Sequence, residues 1–539
     1  MKGKGLSIPI RSGAVLAIAA SLACGMAPAS AETPGNALVM AYNIDAISTF
    51  DPAQIGEVVT NEIVANTCDT LVDSAPDDAS EFVPALAKSW DVSDDSQTIT
   101  FHLQDNLQFP SGEPATAGDL AWSMYRVVDL DFGNAATLNE YGFTKDSIRD
   151  LVTAPDDKTL VMKLDKPYPV QLILGAIAAN RVTALLNKAV LLENEIDGDL
   201  GNKYLTTATD CVGPYHLVAW NPGEAVVLQA NDVYWGEAPK LPQVIIRHVA
   251  ESGTQRLLLE EGDVDVARDL TPEDLQDLED KGEAQVARAL KPQLFYWTFN
   301  NTNDVFSNEK VRLAMRYLID YQGLADTVMK NIGTPRASFV QLGAFGALDE
   351  KEGEPFSLDP DKAKSILEEA GYPDGFEADI ILGTAPYAAP VAQSIQANAA
   401  KIGVKLNIEQ MANAQLFSRV RGRDFQTALI GWMTSVSDAH GMASRHIFNP
   451  DNSLEAQATQ YPSWRAGYFS EKSNEEVNTA LFEQDPEKRK QLYHDLQKEM
   501  MQSGPNAYMF QTYDVAGVSN DLKDWTWNGF RVFYDLASK

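Results

Sequence analysis

The chain has 539 residues, beyond the roughly 250–300 at which a single hydrophobic core stops growing, so more than one lobe is expected. With 45% hydrophobic and 22% charged residues it reads as globular rather than disordered. Its formal net charge of −33 repels phosphate backbones and anionic lipid heads, which sets nucleic acid aside as a partner.

The first 31 residues read as a signal peptide. Lys2, Lys4 and Arg11 supply a positive n-region, and residues 13–23 are an apolar run too short for a membrane span of ~20 residues. Ala29-Ser30-Ala31 places small residues where a signal peptidase reads, so cleavage is expected before Glu32 and the mature chain is expected in the periplasm. A lipoprotein at Cys24 is the alternative, but Ser21-Leu22-Ala23-Cys24 lacks the large aliphatic residue three positions before the Cys. Cys68 and Cys211 then remain, an even number in an oxidising compartment, without metal-ligand spacing. A disulfide is the preferred reading, with two buried free thiols as the alternative.

Strand and helix signals alternate along the mature chain. Ile99, Phe101 and Leu103 alternate with polar residues, as do Leu160, Met162 and Leu164. Residues 226–230 and 244–249 are further strands. A helix is expected from about Glu309, with Val311, Met315 and Leu318 inward. Asp359-Pro360 supplies an N-cap followed by Pro at the first helical position; Ala363, Ile366, Leu367 and Ala370 follow at helical spacing, and Gly371 ends the helix. Val391, Ile395 and Ile402 form a second stripe closed by Gly403, and Val404, Leu406 and Ile408 then alternate as a strand. Residues 428–432 read as a buried strand running into a loop. No composition break marks a linker, so one lobe is expected to be interrupted by the other. The class is α/β with mixed sheets.

Enzyme chemistry is not visible. The chain has six histidines, and none forms a metalloprotease pair; there is no phosphate loop, nucleophile elbow or dinucleotide fingerprint. No catalytic residue and no cofactor are expected, and an exported hydrolase is the distant alternative. His440 and His446, near Asp438 in one predicted loop, are a minor metal possibility. Phe295, Trp297 and Phe299 share one face of a predicted strand and Trp432 ends another, in the manner of a cleft lining or of ordinary core.

A series of motifs then carries a resemblance. Ser48-Thr49-Phe50-Asp51-Pro52, Asp69-Thr70-Leu71-Val72 and Pro84-Ala85-Leu86-Ala87-Lys88-Ser89-Trp90-Asp91-Val92-Ser93-Asp94-Asp95 open it. Gly213-Pro214-Tyr215, Asn231-Asp232-Val233-Tyr234-Trp235-Gly236, Gly262-Asp263-Val264-Asp265-Val266-Ala267, Ala370-Gly371-Tyr372-Pro373-Asp374-Gly375 and Gly431-Trp432 follow in order. The chain resembles family 5 of the bacterial extracellular solute-binding proteins, the dipeptide/oligopeptide/nickel-binding type. The resemblance implies a two-lobe periplasmic binding protein of type II, cluster C-like. Lobe 1 is expected at 32–293 with an inserted subdomain near 78–205, lobe 2 at 294–508, and a return to lobe 1 at 509–539. Hinge strands are expected near 294–300 and 508–513.

It also implies a function: a monomeric receptor that captures a small polar solute, most readily a peptide or peptide-like compound, by hinge closure and delivers it to an ABC permease and ATPase complex in the inner membrane. Opines, oligosaccharides and metal chelates are alternative ligands. In peptide-binding relatives an Asp three residues after the Gly-Trp pair holds the ligand's α-amino group. Here that position is Ser435, and Asp438 is the nearest acid. The expected ligand-binding residues are Tyr42, Asn43, Trp297, Asn300, Trp432, Ser435, Asp438 and Gln511.

Overall fold

The computed structural model describes residues 33–539, the side chain of Asn180 excepted; the expected signal peptide, its cleavage point and Cys24 lie outside the described residues. Among the described residues, one mixed sheet of eleven strands runs through the molecule. One end is built from Tyr215–Asn221, Ala225–Ala230, Gln243–His248, Ala37–Tyr42 and Val266–Ala267, in that spatial order. The other end is built from Lys405–Gln410, Glu377–Leu382 and Thr427–Met433. Two long antiparallel strands, Ala284–Phe299 and Asn506–Ser519, join the halves and lie side by side.

The register of these two crossing strands explains why the sheet has halves. Pairing is regular from Ala284 opposite Ser519 to Leu290 opposite Tyr513, breaks, and resumes with Leu294 opposite Gln511. Three residues, 291–293, thus stand against the single Thr512, and Pro292 among them has no N–H to donate to a ladder. Beyond the break the first crossing strand is buried on both faces. Phe295, Trp297 and Phe299 enter one core, and Leu294 and Tyr296 enter the core on the opposite face. Strict alternation of side chains produces this.

A separate antiparallel sheet of Ala87–Val92, Thr98–Leu103, Thr159–Lys163 and Val152–Asp156, in the order first, second, fourth, third by strand position, stands on the first half. Ile99, Phe101 and Leu103 point inward with Leu160 and Met162, as their alternation requires, and build their own core. The helix Ala117–Leu130 covers it and starts on a capping box between Thr116 and Asp119.

The helix punctuation is explained locally. Asp359 accepts from the Lys362 N–H at 2.9 Å and starts Pro360–Glu369. Gly371 (φ +92°) and Gly403 (φ +83°) take the left-handed conformation after their helices, and a Cβ on Gly403 would stand 2.6 Å from the Asp374 carbonyl oxygen. The helix Glu309–Arg316 stops before Leu318, which is still fully buried in the turn that follows.

Cys68, at the end of the helix Val58–Thr67, is joined to Cys211 with Cα atoms 5.3 Å apart, a separation that suits a disulfide. Peptide mapping without reductant should recover both cysteines in one linked fragment; two alkylatable thiols in native protein would contradict the bond. No helix among the described residues is long and apolar enough to cross a membrane.

Candidate functional site: a cleft at the break in the sheet

The break at 291–293 opens onto a cleft of about 1040 Å³, part of it continuous with solvent. Lys291, Pro292 and Asp514 form its floor. Met433, Thr434, Ser435 and Ser437, where the strand Thr427–Met433 runs out, form one wall. The opposite wall comes from the helix Val58–Thr67, from Asp73 and Ser74, from the end of the helix Val170–Ala178 with Arg181, and from Arg268. The chain's last segment, through Trp527, Phe530 and Val532, closes the back. Val58 and Met433, on opposite walls, are 47% and 49% exposed, an amount of apolar surface that a bound molecule would cover.

The two walls differ in charge. The Met433 side presents hydroxyls and a thioether but no ion. The other is an ion-pair network, much of it anchored by the chain's last segment. Arg268 is paired with Glu62, and its guanidinium lies 4.0 Å from the Trp527 ring centroid and 5.0 Å from that of Tyr42. The Tyr534 hydroxyl donates to Glu62 Oε1 at 2.7 Å. Asp73 is paired with Arg531, and Arg181 Nη1 lies 4.0 Å from the same Asp73 oxygen. Burial alone would raise the Asp73 carboxyl, but Arg531 and Arg181 outweigh it and hold the carboxyl below its ordinary range. Asp69, behind Asp73, accepts from the Tyr234 hydroxyl and Trp235 Nε1, both at 2.9 Å, yet burial raises its pKa to about 6. Lys291 and Asp514 face each other at 3.3 Å on the floor.

Contacts also bridge the rim. Arg445 Nη2 meets Glu140 Oε2 at 2.7 Å, Gln484 Nε2 donates to the Pro167 carbonyl at 2.6 Å, and the Tyr168 and Phe482 rings lie 5.5 Å apart. Each joins the region of the four-stranded sheet to the half that carries Met433.

The residues expected to bind ligand are scattered by this geometry. Ser435 lines the cleft and is exposed. Tyr42 stands behind the wall, its ring against Arg268. Asn43 is occupied locally, its N–H donating to Asp269 Oδ2 and its Oδ1 accepting from the Asp45 N–H. Trp297 is fully buried in the core beside Phe299. Asn300 braces a turn, donating to the carbonyls of Arg423 and Phe425. Trp432 packs edge-on to His446 with Arg465 over it. Gln511 is fully buried; it accepts from the Leu342 N–H and donates to the Lys291 carbonyl, so it holds the floor rather than faces the cleft.

Asp438 differs most from its expected role. It is the N-cap of the helix Ala439–His446, accepting from the His440 N–H at 2.8 Å, and both its oxygens are taken by Arg489 at 2.7 and 2.8 Å. The expected loop around His440 is this capped helix. His440 is buried with Nδ1 3.1 Å from the Tyr493 hydroxyl, and among the described residues no group of three or more His, Cys, Asp or Glu side chains is arranged to hold a metal ion.

The lining residues that sequence reasoning missed include all the charged ones: Glu62, Asp73, Arg181, Arg268, Lys291 and Asp514. One weak signal existed, because Asp73 and Arg268 directly follow two of the quoted motifs.

Comparison with known proteins follows the same outline. A family model described as bacterial extracellular solute-binding proteins, family 5 Middle, matches residues 81–453. The probable D,D-dipeptide-binding periplasmic protein DdpA of Escherichia coli is 27% identical over 443 residues, 82% of either chain. The glutathione-binding protein GsiB of Salmonella typhimurium is 27% identical over 427 residues, 78% of either chain. The crystal structure of the ABC transporter substrate-binding protein CtaP of Listeria monocytogenes is similar in fold, with a TM-score of 0.80 at 20% identity, covering 94% of this chain and 99% of that one.

Proposed function

The chain belongs to family 5 of the bacterial extracellular solute-binding proteins, and from that premise we propose that it is an exported receptor that captures a peptide or peptide-like solute and hands it, unaltered, to an ABC permease and its ATPase. The observation that carries the reading is the cleft itself, a chamber at the larger of the two register breaks between the crossing strands. In this reading residues 32–293 and 509–539 form one lobe and 294–508 the other, residues 1–31 are removed on export, and the receptor is a monomer. Support for a peptide-like solute comes from a cleft that pairs charged groups with apolar surface and from relatives named for a dipeptide and for glutathione.

The mechanism is a ligand-shifted equilibrium. A solute that touches both walls only when they approach has higher affinity for the closed form, and that difference holds the closed form. The break at 291–293 localises the bend, because backbone paired on one side only, with Gln293 opposite Met433, flexes at lower cost than strand paired on both. Val58 and Met433 would lose their exposure in that movement.

Protein purified from its native compartment should carry a small molecule that mass spectrometry identifies and that is recovered unchanged after incubation. Adding this molecule to stripped protein should shrink the radius of gyration in X-ray scattering. An unchanged radius at saturation would overturn the hinge, and conversion of the molecule would overturn the receptor role.

A further inference from the structure

Arg181 is buried against the cleft in a way that folding alone does not require. It is 6% exposed and lines the cleft just beyond the helix Val170–Ala178, beside Ala178 and Ala179. Its Nη1 makes no hydrogen bond to the described residues. The nearest carboxylate, Asp73, is at 4.0 Å, the outer limit of an ion pair, and already belongs to Arg531. Glu62 is likewise held by Arg268. A buried guanidinium with an unsatisfied donor is costly, and here the cost falls on a residue whose backbone is left-handed, φ +56°, a conformation unfavourable for Arg and easier for Asn or Gly. Burial lowers the pKa of Arg181 from the ordinary arginine value, the direction expected where no counter-charge is close enough to compensate.

We propose that Arg181 receives a carboxylate of the captured solute, so that the receptor selects free acids. This deepens the peptide-receptor reading and rests on it. A carboxylate entering between Arg181 and the Met433 wall meets the part of the side chain that lines the cleft, and a small shift of the guanidinium, whose Nη1 is buried with no surface of its own, then gives that nitrogen the acceptor it lacks in a charge-assisted bond. On the opposite wall, which carries no ion, the exposed Ser435 offers that carboxylate a hydroxyl donor, while Thr434 and Ser437 already donate to the Val436 and Gly343 carbonyls.

The test uses full-length mature protein and defined probes: a mixture of free-acid dipeptides with glutathione, and the same dipeptides as C-terminal amides, with retention read by native mass spectrometry. Wild type should retain the acids at least tenfold better than the amides. Arg181→Asn suits the left-handed backbone, so its melting temperature should hold or rise while its retention of acids falls by roughly 10–100-fold. Arg181→Lys, which keeps the charge, should retain more than Arg181→Asn. Equal retention of acids and amides by wild type, or undiminished retention by a folded Arg181→Asn, overturns the assignment and leaves the receptor reading standing. Retention of neither set by wild type overturns the peptide reading and this inference with it.

Discussion

Replacing His446 by Gln should remove about 3 kcal/mol of acid sensitivity between pH 6.5 and pH 4. His446 is fully buried between the Tyr296, Trp432 and Tyr508 rings, with Nδ1 2.9 Å from the Tyr508 hydroxyl and no hydrogen-bond partner for Nε2 among the described residues. Burial, helped by the charge of Arg465, lowers its pKa to about 3. His440, capped against Asp438, is lowered to about 4, mainly by burial. Both folded values lie below the unfolded 6.5. Above pH 6.5 neither form binds the proton and stability is independent of pH. As the pH falls below 6.5 the unfolded chain takes up protons that the folded chain refuses, and stability is lost by about 1.4 kcal/mol per pH unit per histidine until the folded pKa is reached.

Asp69 works with the opposite sign. Its folded pKa of about 6 exceeds the unfolded value, so its contribution is fully present below pH 3.8 and is lost as the pH rises through 6. The wild-type slope is therefore a sum, and the informative quantity is the difference between wild type and His446→Gln. Denaturant midpoints at half-unit steps from pH 7 to pH 4 should diverge by one proton's worth of slope. Parallel curves would mean that His446 is protonated in the folded state.

Much of the scaffold was legible because its signals are local. Ile99, Phe101 and Leu103 needed only a period of two, and Asp359-Pro360 needed only its own helix. The polar residues of the motifs turn out to hold distant parts of the fold together. Asp69 takes the hydroxyl of Tyr234 and the ring N–H of Trp235 from a motif 165 residues later, and Asp265 accepts the Val39 N–H at 2.7 Å. Asp51 accepts both arms of the fully buried Arg126 at 2.8 and 2.6 Å. A chain can display such residues by type while giving no sign of what they hold.

The cleft was not legible for a related reason. Its ionic wall is assembled from Glu62, Asp73, Arg181, Arg268 and the segment around Trp527, parts of the chain that share no spacing. The left-handed backbone of Arg181 has no sequence signature. The alternating aromatic face of Trp297 suits both a binding surface and a sheet covered on both sides; the helices packed on that face decide for the second. Asp438 has no partner visible in the sequence because Arg489 lies 51 residues away on another helix.

That partnership sets the last expected result: Asp438→Asn should cost about 3–5 kcal/mol of stability and little solute affinity. The pair is bidentate and nearly excluded from water, with side chains 2% and 6% exposed. Arg489 is further enclosed by the Phe345 and Tyr493 rings, 5.0 and 5.1 Å away, and its Nε donates to the Ala480 carbonyl. Burial opposes its charge, but Asp438 outweighs burial and raises its pKa. The Asn side chain can still cap the helix, so most of the loss comes from a guanidinium left buried without its counter-charge. Asp438 does not line the cleft, and a folded variant should therefore retain the dipeptide probes as wild type does. Adding Arg489→Met to Asp438→Asn removes the stranded charge and should recover part of the loss, since an ion pair taken out together is far less damaging than one broken. Chemical denaturation of the two variants measures both steps. A variant of unchanged stability with weakened retention would return Asp438 to the role of an amine anchor.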